Sequence, residues 1–133
     1  ASFELRLAQI KALAKPLDTE MIIYGRLPLM VTENCPLRCS GQCSAGSGGV
    51  LTDRTGARFP VLCGHSCRPE IQNSRPLYLA DKPEWKKCGL RWARLRLTTE
   101  TAEEALDILQ RYQGSDFPAP AGFTRGPFYR GVE

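Results

Sequence analysis

Five of the six cysteines fall within residues 34–69, and that segment constrains the fold more than any other feature. Cys35, Cys39 and Cys43 follow one another at four-residue steps, Cys63 and Cys67 repeat the step after a gap, and Cys88 stands apart. Around the first three, Pro, Gly, Ser and Gln dominate and no helical or strand period survives. Residues 34–48 are therefore expected to form a loop built around its thiols, and Cys63 to Pro69 a second one. The rest of the chain has ordinary globular composition, with 42% hydrophobic and 24% charged residues in 133, which excludes a disordered chain. That length fits a single domain or a fragment of a larger one, with 34–69 as a metal- or cluster-binding segment.

Outside the cysteine loops the pattern is that of an α/β chain. Leu7, Ile10, Leu13 and Ala14 share a helical stripe within Glu4–Ala14, and Pro16 ends it. Met21 to Tyr24 and Leu27 to Thr32 are short apolar runs rich in β-branched residues, the second broken at Pro28 as on an edge strand. Val50 to Leu62 reads as a hairpin turning at Asp53–Gly56, and Ile71 and Leu77 to Leu79 as short strands. Asp81 is placed to cap a short helix that stops at Gly89, Leu90–Leu97 alternates as a strand, and Thr101 with Glu104 forms a capping box for a helix reaching Tyr112. From Ser115 onward no helical or strand period is readable.

Charge is unevenly spread. Residues 1–34 are neutral, 35–98 carry an excess of seven positive charges and 99–133 an excess of three negative ones, for +4 overall. The basic block holds all six cysteines, so its arginines and lysines are expected to offset thiolate charge, or else to meet an anionic substrate. No apolar run approaches the ~18–20 residues of a membrane span and no charged-then-apolar leader opens the chain, so a cytoplasmic protein without a membrane partner is expected. The chain opens at Ala1 without Met and enters a helical pattern at once, the start expected of a fragment.

Three readings of the cysteines compete. A disulfide framework needs an oxidising compartment, which nothing here suggests. A structural zinc takes two short-spaced pairs around a longer segment, and Cys39 with Cys43 and Cys63 with Cys67, separated by the hairpin, fit that description, with His65 as a further donor. A 4Fe–4S cubane takes three thiolates from one loop and one from elsewhere, and Cys35, Cys39, Cys43 and Cys67 fit that equally well, with Pro36 beside the first ligand. The spacing excludes a radical-SAM loop, and it leaves zinc and cluster near even. Cys88 reads as a buried or free thiol.

Common hydrolase chemistry is poorly supported. There is no Gly-x-Ser-x-Gly elbow and no His-Glu-x-x-His, and His65, the single histidine, lies two residues from Cys67, too near in sequence for a productive thiol–imidazole pair. Arg91, Arg94 and Arg96 beside Trp92 could touch a phosphate backbone, although a solvated strand face is the more ordinary reading.

The run Tyr24-Gly25-Arg26-Leu27-Pro28-Leu29-Met30-Val31-Thr32-Glu33-Asn34-Cys35-Pro36-Leu37 resembles the signature block of peptidase family U-32, the collagenase-like peptidases. Leu51-Thr52-Asp53-Arg54, Phe59-Pro60-Val61, Cys67-Arg68, Asn73 to Leu77 and the closing Phe123 to Glu133 continue the likeness in order, the last resembling the tail of long family members. The resemblance implies a C-terminal portion of such a protein: a partial (β/α) barrel-like unit with a cysteine-rich loop and a β-hairpin, whose partner is the remainder of the barrel. Some similar proteins hold a 4Fe–4S cluster and hydroxylate RNA bases or quinone precursors without oxygen, and others carry the peptidase name. Carried over, Cys35 matches the cysteine after the Gly-Arg-Leu-Pro block, Cys39 and Cys43 the pair ahead of the hairpin, and Cys67 the one before Arg68, whereas Cys63 and Cys88 have no counterpart. Arg26, Arg54 and Arg68 are the candidates for a basic rim facing RNA, a small anionic substrate or the cluster.

Overall fold

The computed structural model describes residues 1–15, 17–43, 48–64, 68–114 and 119–129. They form a mixed α/β structure of two sheets and a few helices, with no closed barrel among the described residues. The chain divides into two compact units. Unit 1 comprises Ala1–Gly25 with Arg75–Glu133, and unit 2 is the continuous stretch Arg26–Ser74.

In unit 1, helix α1 (Leu7–Ala14) precedes strand β1 (Glu20–Gly25). Ile10 and Ala14 are buried as their spacing predicts, but Leu13 faces solvent, so the apolar stripe is narrower than the sequence suggests. Pro16 lies outside the described residues. In unit 2, β2 (Pro28–Val31) is followed by the one-turn helix α2 (Pro36–Cys39), β3 (Gly49–Thr52), β4 (Arg58–Leu62) and β5 (Glu70–Gln72). The chain then returns to unit 1 through β6 (Leu77–Tyr78), a 3-10 helix (Pro83–Cys88), β7 (Trp92–Arg96), helix α3 (Ala102–Gln113) and a last 3-10 turn (Gly126–Phe128).

The unit 1 sheet runs β6-β1-β7, with β1 antiparallel to β6 and parallel to β7. Tyr24, Tyr78 and Ile108 form its core, with Leu95, Tyr112 and Phe123 packed against them. Tyr112 is placed on α3 by the Thr101–Glu104 capping box, in which the Glu104 N–H donates to Thr101 Oγ1 and the Thr101 N–H to Glu104 Oε2. Its hydroxyl donates to the Ile23 carbonyl at 2.6 Å and accepts from the Leu79 N–H at 2.9 Å, so one side chain ties α3 to both β1 and the segment after β6. Burial holds that phenol protonated far above the ordinary tyrosine range. Tyr112→Phe keeps the ring but deletes this bridge, and a loss of about 1–3 kcal/mol is expected in a urea titration.

Asp81 departs from its expected role. The residue at the helix N-cap is Lys82, with no side-chain cap bond. The Asp81 carboxylate is instead gripped at both oxygens by Arg125, at 2.5 and 2.6 Å. Arg125 also donates to the Tyr78 carbonyl and lies 4.3 Å from the Phe123 ring centroid. Together with the pairing of Thr124 to Pro76 and Tyr78, this docks the tail segment onto β6. The guanidinium beside Asp81 holds its carboxyl below the usual carboxylate value. A folded pKa lower than the unfolded one stabilises the protein above about pH 4, and that contribution is lost as pH falls through the lowered value. Asp81→Asn should therefore melt below wild type at pH 7, by about 1.5–3 kcal/mol at most for a charge-assisted pair, and the two melts should converge as pH falls through the lowered value.

The unit 2 sheet is antiparallel throughout, in the order β2-β5-β4-β3. The β3–β4 hairpin forms as the sequence predicts. Asp53 Oδ1 accepts from the N–H groups of Thr55 and Ala57 and from the Thr55 hydroxyl, an Asx-type turn that needs no distant contact. β2 is the edge strand that Pro28 suggested.

Candidate cysteine-rich metal centre

The sheet pairing of unit 2 decides where its cysteines go. Val31 pairs with Glu70, Glu70 with Leu62, and Gly49 with Val61. The end of β2, the start of β3, the end of β4 and the start of β5 therefore lie at one end of the sheet. The two connections leaving that end are residues 32–48, which contain Cys35, Cys39 and Cys43, and residues 63–69, which contain Cys63 and Cys67. Cys67 and His65 lie outside the described residues.

Several contacts join the two connections. The Thr32 N–H donates to the Pro69 carbonyl at 3.1 Å, extending the β2–β5 ladder past the sheet. Beyond it Arg68 meets Glu33 at 3.0 Å. Both side chains are largely exposed, so the pair adds little stability, but it links a residue two before Cys35 to one next to Cys67. On the other flank, a Cβ on Gly48 would lie 2.6 Å from the Val61 carbonyl oxygen, so the backbone entering β3 presses against the end of β4, just before Cys63.

Helix α2 fixes the first thiols. Cys35 is its N-cap, and Pro36 occupies the first helical position, where no N–H is needed. The Cys35 carbonyl accepts from the N–H groups of Arg38 and Cys39, and Ser40 N–H donates to Pro36. Cys35 and Cys39 thus stand at the two ends of a single turn. Leu37, 1% exposed, pins the turn onto the sheet against Val61 and lies so close to Gly49 that a Cβ there would stand 2.9 Å from its methyls. Cys35 is buried in that contact, whereas Cys39, Cys43 and Cys63 are exposed. Among the described residues no three cysteine, histidine or acidic side chains converge on one point.

Cys88 lies in unit 1, buried, with its thiol directed at the Glu84 and Leu7 carbonyls, and burial pushes its pKa up. It is the buried thiol the sequence suggests and is remote from the others in the chain.

The three arginines are not gathered into one rim. Arg68 is at the cysteine end. Arg54 is at the β3–β4 turn, and Arg26 precedes β2, both at the opposite end of the sheet. Arg26 donates to the Asn73 and Ser74 carbonyls at 2.9 and 2.5 Å, fastening the two chain segments that enter and leave unit 2. Glu33 is the residue at this end that sequence reasoning missed, because its partner lies 35 positions away and no local pattern marks it. No family model, curated protein or solved structure matches the chain. No described helix is long and apolar enough to cross a membrane.

Proposed function

We propose that the chain is a C-terminal portion of a U-32-like protein whose cysteine-rich end holds a 4Fe–4S cluster through Cys35, Cys39, Cys43 and Cys67. In this reading it contributes to oxygen-independent hydroxylation of RNA or of a small aromatic substrate. The supporting observation is that both cysteine-bearing connections leave the same end of the β2-β5-β4-β3 sheet. The donor set suits the group: thiolates are the usual ligands of iron–sulfur clusters, three come from one connection and one from the other, and few acidic groups compete there. A bound cluster would supply one-electron transfer. The chain's own part is to present Cys35 and Cys39 on one rigid turn, to shield Cys35 with Leu37 and Val61, and to tie the second connection alongside through Glu33 and Arg68. The parallel β1–β7 pair followed by α3 supports reading unit 1 as part of a (β/α) barrel whose remaining strands would be its partner. A cytoplasmic setting belongs to the same proposal.

The exposure of Cys63 at the mouth of the second connection favours one alternative, a structural zinc on Cys39, Cys43, Cys63 and Cys67. A peptidase rests on the family name alone. Anaerobic isolation of the whole chain, with iron, sulfide and zinc counted on one sample, separates these readings. About four irons and four sulfides per chain support the cluster. One zinc without sulfide supports the structural site, and neither leaves the proposal without its cofactor.

A further inference from the structure

We infer that the outer face of strand β7 in unit 1 is a docking platform for single-stranded nucleic acid, centred on Trp92. Along β7, side chains alternate between faces. Leu95 packs on the Tyr24–Tyr78–Ile108 core, so Trp92, Arg94 and Arg96 lie on the opposite face. Among the described residues β7 is an edge strand of the unit 1 sheet. Trp92 is 53% exposed, unusual for the largest apolar side chain, and the Arg91 guanidinium stands 5.6 Å from its ring centroid. Arg94, also exposed, is held across the strand pair by Glu20 at 2.9 Å. A solvent-facing ion pair of this kind is worth little and can be exchanged for a phosphate.

Charge complementarity names the occupant. Around Trp92 stand Arg91, Arg94 and Arg96, with Glu20 as the acidic partner of Arg94. An open cleft of about 220 Å³ that Arg91 lines together with Lys15, Leu17, Asp18 and Leu90 adjoins this segment. An exposed indole flanked by guanidinium groups matches a strand of stacked bases and phosphates, because every base offers a π face and every linkage a negative charge. A folded duplex would hide its bases from such a ring. The platform belongs to unit 1 and the cysteine end to unit 2, and the inference stands whether or not those cysteines bind a cluster.

Titration of the full chain with fluorescently labelled twelve-residue oligouridylate and oligothymidylate tests it. Binding is expected at low salt, weakening linearly in a log–log plot against salt concentration. Trp92→Ala should weaken it about tenfold or more, in keeping with the loss of one base stack, and Arg91→Ala combined with Arg94→Ala should both weaken it and flatten the salt dependence. Trp92 is exposed, so its variant should melt as wild type does. Binding that Trp92→Ala leaves within about twofold, or that heparin matches, would reduce the face to a general polyanion surface and overturn the inference. So would preference for phosphatidylserine vesicles over the oligonucleotides, or absence of binding at low salt.

Discussion

Cys35→Ser is expected to abolish binding of the proposed cluster: iron and sulfide should fall from about four each per chain to near zero, and the brown absorbance with them. The reason is chemical. A serine hydroxyl is a harder and far less acidic donor than a thiol, and it is a poor replacement for a thiolate on iron. The backbone should tolerate the exchange, because Cys35 is the N-cap of α2 and Ser is a preferred N-cap residue. Leu37 remains to pin the turn. The variant should therefore keep its far-ultraviolet circular dichroism and its apo-form melting curve while losing the metal, which separates loss of a ligand from loss of fold. Cys88→Ser, in the other unit, should leave iron untouched. Cys63→Ser divides the two metal readings: iron stays full if Cys35, Cys39, Cys43 and Cys67 hold a cluster, and zinc is lost if Cys63 is a ligand of a structural site. A Cys35→Ser protein with full iron content would sink the assignment.

Gly25→Ala is expected to be the most damaging single substitution in unit 1. Gly25 closes β1 with φ +117°, a region that L side chains rarely adopt, and its position pairs with Arg96 on one side and Leu77 on the other. An added Cβ would stand 2.0 Å from the Arg96 carbonyl oxygen, which belongs to backbone and cannot swing aside. Relief requires either rotating Gly25 out of its conformation or pushing β7 away from β1, and each breaks the parallel ladder. Backbone strain of this kind costs on the order of 1–3 kcal/mol, and the lost pairing adds to it, so about 3 kcal/mol or more is expected. Thermal unfolding should move down by roughly 10 °C or more. If the protein fails to accumulate, Gly56→Ala is the comparison: φ there is also positive, at +83°, but nothing lies within 4 Å of the added Cβ. Equal damage at both positions would mean that conformation alone, and not the approach of β7, sets the cost at Gly25.

What the sequence disclosed was local. The β3–β4 hairpin was readable because Asp53 and Gly56 build the turn from neighbours, and α3 because its capping box spans four residues. The parallel pairing of β1 with β7 was not, since roughly seventy residues separate the partners and neither strand carries a mark of the other. Asp81 misled for the same reason. Its spacing to Glu84 imitates a cap, while its actual partner, Arg125, lies 44 positions on. At the cysteine end, spacing left zinc and cluster equal. The placement of both connections at one sheet end came from the order β2-β5-β4-β3, which no local pattern encodes. The proposed basic rim rested on residue type, and the sheet separates Arg26 and Arg54 from Arg68 by the length of its strands.

Unit 2 departs after Gly25 and returns ahead of Leu77, residues that face each other across β1 and β6, so the whole of it occupies the place of a hairpin turn. While unit 2 is folded, that turn is closed by its own structure and by the Arg26 clasp on Asn73 and Ser74. If unit 2 unravels, β1 and β6 must hold together across a floppy span of roughly 50 residues, and closing such a span costs about 3 kcal/mol more than closing a two-residue turn. Chain connectivity alone then makes unit 1 feel the state of its insert. Whatever tightens or loosens unit 2 would register as a change in the resilience of a sheet that contains none of its residues.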